Sequence, residues 1–322
     1  MASGESRASY FAVNPALKKY SAPLAAGRGT AGARIIRPMP TPAAPSPRLV
    51  IFDLDGVVYR GPEPVPGAAE LVVALRAAGV AVRFATNNSM ATRRAYADRL
   101  AGHGITALPE EIVTSTWATI THLRLHEPAL RRLLALGADG MLDELRGAGY
   151  DATPAGDAAG PDWNGEPLAR SYDAVVAGLD PDVTYRTLGI AAAAIRAGAR
   201  FVATNADLRY PTPRGLVPGA GAIVAALQAT TGQRPLVIGK PEPAMLQAIL
   251  EADGIAPEDA LVIGDNPDAD MPAARRAGIP VILVLTGVTD AAAATALNGE
   301  RRPDWVAADP AAVAALLGVS LS

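Results

Sequence analysis

The sequence predicts a doubly wound α/β fold: a parallel, Rossmann-like sheet covered by helices on both faces, with a second, smaller α/β unit inserted into it. Three observations carry this. From residue 48 onward, short apolar runs of strand length alternate with helix-length segments. Those runs are apolar without alternation, as in strands buried on both faces. Several of them stop abruptly in polar or charged residues, as happens where strands of an open sheet deliver ligand-binding groups to one edge. The chain has 322 residues, half of them hydrophobic and 19% charged, which suits one large or two ordinary domains with a sizeable core.

Residues 1–47 differ from the rest. They are rich in Ala, Ser, Pro and Gly, hold Glu5 as their single acid, and end in Pro38-Met39-Pro40-Thr41-Pro42. This composition reads as a flexible leader. Its basic, acid-poor character also fits a transit peptide, but no clear amphipathic helix accompanies it. The first strand is Leu49–Phe52, stopping at Asp53-Leu54-Asp55-Gly56. A turn-rich loop over 61–67 leads to a helix at Ala68–Ala78 with Leu71, Val72 and Leu75 on one side and Gly79 as its stop. Val80–Ala85 is a second buried strand, ending in Thr86-Asn87-Asn88-Ser89. Arg93–Ala101 is a helix, and Ile112–Thr114 a short strand with a helix after it.

Around Leu130 the rhythm restarts, and residues 131–232 read as the inserted unit. Its strands are Leu133–Ala135, Ala174–Gly178 and Arg200–Ala203. Its helices are Gly140–Ala148 and Thr184–Ala197, with a loop over 152–167. An irregular Pro- and Gly-rich segment, 204–221, precedes an Ala-rich helix at Ala222–Ala229. The first sheet is then expected to resume over 233–318, with strands Pro235–Ile238, Ala260–Ile263 and Pro280–Leu285, a covering helix between each pair, a short strand at Trp305–Ala307 and a last helix. Residues 48–130 and 233–318 together form the main unit.

Composition excludes several functions. Net charge is −3 with no general basic excess, which argues against nucleic acid as the main partner. There is no cysteine, so disulfides, thiolate zinc sites and cysteine nucleophiles are excluded, and a reducing, cytoplasmic setting fits. No apolar run approaches bilayer length, so no membrane role is expected. His122 and His126 have helical metal-binding spacing, but no acid accompanies them in a protease-like motif, and exposed helix histidines are common. His103 reads as a capping residue at a helix end. Gly239-Lys240 is followed by proline, so it is not a phosphate-cradling Walker loop. Gly219-Ala-Gly221 lacks the third glycine of a dinucleotide site.

The strand ends carry the chemistry. In a strand Asp53 and Asp55 point to the same side, so two carboxylates meet where an apolar strand ends. A polar turn explains that pair as well as a cation site does. Three other strand ends add to it. Val80–Ala85 delivers Thr86, Pro235–Ile238 delivers Lys240, and Ala260–Ile263 delivers Asp265 and Asp270. Asp53, Asp55 and Asp265 supply hard oxygen ligands suited to Mg2+, which would shield a phosphate dianion from an attacking carboxylate. A carboxylate can act as nucleophile and form an aspartyl-phosphate, with Lys240 and the Thr86 hydroxyl holding phosphoryl oxygens. A second carboxyl two residues along can protonate the leaving oxygen and later deprotonate water.

Asp53-Leu54-Asp55-Gly56, Thr86-Asn87-Asn88, Lys240 and Gly264-Asp265-x4-Asp270 resemble, in order, the four motifs of the haloacid dehalogenase-like phosphatases. The resemblance covers about residues 48–310. The long insert is similar to the large α/β cap of the NagD-like branch, which includes p-nitrophenylphosphatase and the phosphoglycolate, pyridoxal-phosphate and glycerol-phosphate phosphatases. Phe201–Asp207 and Thr212-x5-Pro218-Gly-Ala-Gly221 resemble that branch's cap-to-core segment.

The resemblance implies Asp53 as nucleophile, Asp55 as general acid/base, and Thr86 and Lys240 as phosphate-holding residues. Mg2+ would take Asp53, the Asp55 backbone carbonyl and Asp265. Asp270 would orient the surrounding network, with Gly56, Asn87, Asn88 and Asn266 supporting. A small phosphorylated metabolite is the expected substrate, contacted from the cap by Asn205, Asp207 and Arg209, with Tyr210 nearby; a hydrogen-bonded turn explains those residues equally well. Pairing of two copies through the caps is a further implication of the resemblance. A receiver-like phosphorylation module would gather similar residues, but it needs neither a substrate lid nor the acid at Asp55. An inactive phosphate-binding homologue would be expected to lack a motif residue, and none is missing. A dehalogenase has no need for Asp55.

Overall fold

Leu49–Asp53 (β1) is buried along almost its whole length because both of its faces meet apolar layers. Leu49 and Ile51 join one hydrophobic cluster, and Val50 and Phe52 join another. The computed structural model describes residues 45–212 and 215–321, so nearly all of the proposed leader lies outside the described residues. After β1 come a small ribbon of Tyr59–Arg60 (β2) and Glu63–Pro64 (β3), then Ala68–Ala77 (α1), Ala81–Thr86 (β4), Arg93–Gly102 (α2), Ile112–Thr114 (β5) and Ser115–His126 (α3). A second set follows: Arg132–Leu136 (β6), Asp139–Gly147 (α4), Asp151–Pro154 (β7), Ala174–Ala177 (β8), Tyr185–Arg196 (α5), Arg200–Ala203 (β9), Arg209–Thr212 (β10), Gly215–Pro218 (β11), Ala220–Thr231 (α6) and Leu236–Val237 (β12). The last stretch holds Ala244–Asp253 (α7), Ala260–Gly264 (β13), Asp270–Ala277 (α8), Val281–Val284 (β14), Ala291–Thr295 (α9), Trp305–Ala307 (β15) and Pro310–Leu317 (α10).

Two parallel sheets organise these elements. The first has the order β15-β14-β13-β1-β4-β5, the second β12-β9-β8-β6-β7. In the first, the winding reverses at β1: the chain moves outward through β4 to β5 on one side and through β13 and β14 to β15 on the other. Crevices at carboxyl ends next to such a reversal are where open α/β sheets bind ligands. One face of the first sheet packs on α1, α2 and α10. Its other face shares a continuous apolar cluster with α3, α4, α7, α8 and the near face of the second sheet, and α5 and α6 cover that sheet's far face. Side-chain caps fix helix starts where the sequence offers them: Thr114 Oγ1 accepts from the Trp117 amide at 3.1 Å, and Asp309 Oδ1 from the Ala312 amide at 2.8 Å. His103 caps the end of α2, as its position predicts.

Three expectations are corrected. Pro235–Ile238 does not return to the first sheet. Its paired residues, Leu236 and Val237, add to the edge of the second sheet, opposite Val202 and Ala203 of β9. A strand reduced to a two-residue pairing carries no pattern that specifies its sheet. The segment 204–221 is not irregular throughout: β10 and β11 pair antiparallel within it, and α6 begins at Ala220 rather than Ala222. Residues 152–167 are not all loop, because β7 pairs with β6 along the sheet edge. Pro154 hides that strand in the sequence, yet an edge position tolerates proline. Among the described residues, no helix is long and apolar enough to cross a membrane.

Candidate active site

Asp53 ends β1, and the chain turns at once. The Leu54 carbonyl accepts from the amides of Val57, Val58 and Tyr59 at 3.3, 2.9 and 3.2 Å, and the Gly56 amide donates to the Tyr59 carbonyl at 2.7 Å. Gly56 takes φ +81°, and a Cβ there would collide with the Asp265 carboxylate and the Gly287 backbone, so only glycine closes this turn against the neighbouring strand end. Leu54 points into the apolar layer, fully buried. Asp55, by contrast, remains solvent-accessible.

Lys240, only 4% exposed, is held between two carboxylates. Its Nζ donates to Asp53 Oδ1 at 2.5 Å and to Asp270 Oδ1 at 2.7 Å. Asp270 opens α8 and also accepts from the Asn266 amide at 3.1 Å; Gly264 leaves the room it needs, since a Cβ there would strike it. Asp265 accepts from the Val288 amide at 2.7 Å, while its own carbonyl accepts from Thr289 Oγ1 at 2.8 Å. Oxygens of Asp53, Asp265 and Asp270 lie within 4.8 Å of one another.

This crowding shows in the titration of the acids. Asp53 is raised well above the ordinary carboxylate range, by burial first and by Asp270 and Asp265 next, with Lys240 opposing. Asp265 is raised to about 7, again by burial first and then by Asp270. Lys240 is held protonated: burial disfavours its charge, but Asp270 and Asp53 together outweigh that. Asp55 is also raised, because surrounding protein strips its solvation; Arg99 and Lys240 pull the other way. Partly buried Asp53 and buried Asp265 and Asp270 crowd three acids around one ammonium, and once deprotonated their hard oxygen donors fit a divalent cation such as Mg2+. Among the described residues His122 and His126 are not part of any such acid-bearing group; their rings lie tilted at 45° with centroids 4.4 Å apart, and His126 faces Glu251 at 3.9 Å.

Thr86 ends β4, almost buried, and its Oγ1 accepts from the Asn88 amide at 3.2 Å. Asn88 Oδ1 accepts from the Met90 amide, and Asn266 Oδ1 from the Asp268 amide, so both shape their turns. Asn87 is the hub. Its Nδ2 donates to the Lys240 carbonyl at 2.8 Å and to both Asp207 oxygens at 3.1 Å, while its Oδ1 accepts from the Lys240 amide at 2.8 Å. Its carbonyl accepts from Asn205 Nδ2 at 2.8 Å and Ser115 Oγ at 2.6 Å. Asn205 and Asp207 therefore meet the rim through Asn87. Arg209 is exposed at the start of β10, whereas the partly buried Tyr210 reaches Asn88.

Sequence reasoning missed the loop after β14. Gly287 gives Asp265 its space, the Val288 amide and the Thr289 hydroxyl fix it, and Thr286 Oγ1 donates to the Gly56 carbonyl at 2.7 Å. The signal was present: Thr286-Gly287-Val288-Thr289 follows an apolar strand just as the other rim residues do.

A haloacid dehalogenase-like hydrolase model matches residues 50–151, and a second, HAD-hydrolase-like model matches 237–313. The chain is 35% identical over 239 residues to the 5'-nucleotidase YutF of Bacillus subtilis, an alignment covering 74% of this chain and 87% of the relative. A p-nitrophenyl phosphatase from Archaeoglobus fulgidus superposes with a TM-score of 0.75 at 29% identity, over 84% of this chain and 100% of the other. A glycerol phosphate phosphatase from Mycobacterium tuberculosis, solved with magnesium, superposes with a TM-score of 0.70 at 35% identity, over 83% of this chain and 76% of the other. The chain thus belongs to the haloacid dehalogenase-like hydrolases and is an enzyme of their NagD-like phosphatase branch.

Proposed function

We propose that this enzyme hydrolyses a small phosphorylated metabolite through an aspartyl-phosphate on Asp53, with Mg2+ as cofactor. The observation that carries this reading is the Asp53 carboxylate held at 2.5 Å by the buried Lys240, with Asp265 and Asp270 closing the same group. Asp53, Asp265 and the Asp55 backbone carbonyl would hold the cation, with Asp270 orienting Lys240 beside it. When bound, Mg2+ offsets the charge of carboxylates and phosphate dianion that would otherwise repel.

An Asp53 oxygen attacks phosphorus as the ester P–O bond breaks, and Asp55 gives its proton to the departing oxygen. The raised Asp55 carboxyl suits this, since more of it is protonated near neutral pH than of an ordinary aspartate. Lys240 and the Thr86 hydroxyl bind the phosphoryl oxygens, where charge grows in the transition state. Asp55, now a carboxylate, takes a proton from water; the oxygen attacks phosphorus, and inorganic phosphate leaves with Asp53 restored. The second sheet, with the 204–221 segment tied to Asn87, forms the cap that shapes the leaving-group side. The relatives' names span a nucleotidase, an aryl phosphatase and a glycerol phosphate phosphatase, which supports a phosphomonoester without selecting the alcohol.

Release of p-nitrophenol from its phosphate tests the reading. Asp53→Asn should lower kcat by at least about 10³, the scale of losing a nucleophile, and chelation should abolish turnover until Mg2+ is restored. Activity surviving both would overturn the mechanism.

A further inference from the structure

A cavity of about 310 Å3 lies away from the catalytic rim, lined by Arg124, Pro128, Arg131, Ala148, Gly149 and Tyr150. It sits where the chain leaves α3 to enter β6, beside the turn from α4 to β7. This is the amino end of the second sheet, because Arg132 and Asp151 open β6 and β7 side by side. The carboxyl ends of that sheet face the rim instead: the Leu179 amide donates to Ser89 Oγ at 3.3 Å, and the Thr204 carbonyl accepts from the Gly239 amide at 2.8 Å.

Charge pairing around the cavity leaves two guanidinium groups over. Glu127 pairs with Arg200 at 2.5 Å, and Asp151 pairs with Arg170. Asp173 takes the backbone amides of Arg131 and Arg132, each at 2.8 Å, and the Arg132 side chain at 3.4 Å. Those amides hold it below the ordinary carboxylate range. Arg124 and Arg131 reach only carbonyls: Arg124 donates to Ala148 at 2.6 Å, Arg131 to Pro128 at 2.5 Å and Leu130 at 2.8 Å. Among the described residues neither forms an ion pair. A carbonyl anchors a guanidinium without neutralising it and leaves most of its five donors unused. Both cations also bear on one phenol, that of the mostly buried Tyr150.

We propose that this cavity is a second anion site, built for the phosphate group of a small phosphorylated metabolite or for free phosphate. Two exposed arginines and a mostly buried tyrosine line it from different elements, and two guanidinium groups suit an anion with several oxygens and two charges. The volume takes a phosphate with a short organic substituent. Arg124 belongs to α3, which packs under the first sheet, while Arg131, Gly149 and Tyr150 belong to the second unit. A bound dianion would therefore tie the two units together at their crossing, and so connect phosphate concentration to cap position.

Calorimetric titration of the Mg2+-loaded full chain with inorganic phosphate tests this. Arg124→Gln/Arg131→Gln should bind one phosphate fewer per chain than the wild type, with affinity at the lost site reduced at least tenfold. The comparison holds whether or not the catalytic rim itself retains phosphate, so its failure is separate from failure of the mechanism. Equal stoichiometry in wild type and variant overturns the site. If the double variant does not fold, the amide resonances of Gly149 and Tyr150 in the labelled wild type decide: they should move with phosphate, and their constancy at millimolar phosphate overturns the site. Methylphosphonate, which cannot be hydrolysed, separates the sources. Displacement of those resonances by both anions supports a metabolite site, by phosphate alone a product site, and by neither overturns the proposal.

Discussion

Lys240 concentrates the electrostatics of the rim in one ammonium. It is nearly enclosed and sits within hydrogen-bonding distance of Asp53 and Asp270. Removing one partner from a buried ionic group leaves unpaired charge, at a cost of roughly 3–5 kcal/mol. Lys240→Met should therefore destabilise the metal-free protein by about that amount in urea unfolding, and lower kcat by about 10²–10³ as transition-state charge loses its partner. The acids add a pH dependence. Asp265 is raised to about 7 when folded, so between its unfolded value and 7 the folded state binds the extra proton. Stability of the metal-free enzyme should then fall as pH rises through that window, with a ceiling of about 4 kcal/mol from this group. Mg2+ needs the deprotonated acids, so the rise in Tm that it produces should be larger at pH 8 than at pH 5, as thermal unfolding with and without Mg2+ would show. At this scale the side chains were legible, because Asp53, Thr86, Asp265 and Lys240 each end or follow an apolar run. The Val288 amide and the space at Gly287 were not: a backbone donor and a missing side chain offer no chemical type to read.

The long buried strands were the most legible elements. Leu49–Asp53 and Ala260–Gly264 are apolar on both faces, and no other arrangement hides both. The short and edge elements were not, since a two-residue pairing such as β12 and a proline-ended strand such as β7 are held by the sheet they join rather than by their own pattern. The turn after β1 shows the opposite extreme, where one position is fixed by two demands at once. Gly56→Ala would meet the left-handed backbone penalty and a collision with Asp265 together. It should cost on the order of 2–4 kcal/mol in denaturant unfolding, and it should weaken Mg2+ binding even where the protein still folds.

Across the whole molecule, the two sheets meet through polar and apolar contacts of different character. The polar one is Asn87, which reads both the backbone of Lys240 and the carboxylate of Asp207. Asn87→Ala should release Lys240 from its register, lowering kcat more than it changes KM, and should cost about 1–3 kcal/mol from the unpaired buried groups. The parallel sheet and its reactive edge could be inferred from strand ends alone, but the attachment of Lys240's strand to the second sheet could not, because pairing partners are a property of the assembled layers.

The apolar contact is the cluster shared by both sheets, running from Leu49 and Ile51 through α3 and α7 to Leu133, Val176 and Val202. Unfolding either unit would expose apolar surface of the other, so the two are expected to unfold together although the inserted unit has its own sheet. The three tryptophans happen to sit one in each layer: Trp117 against the shared cluster, Trp163 on the far face of the second sheet, Trp305 on the far face of the first. Fluorescence of variants retaining one tryptophan each should therefore report the same denaturant midpoint from all three positions, and a separate, earlier transition at Trp163 would show that the shared interior does not couple the units.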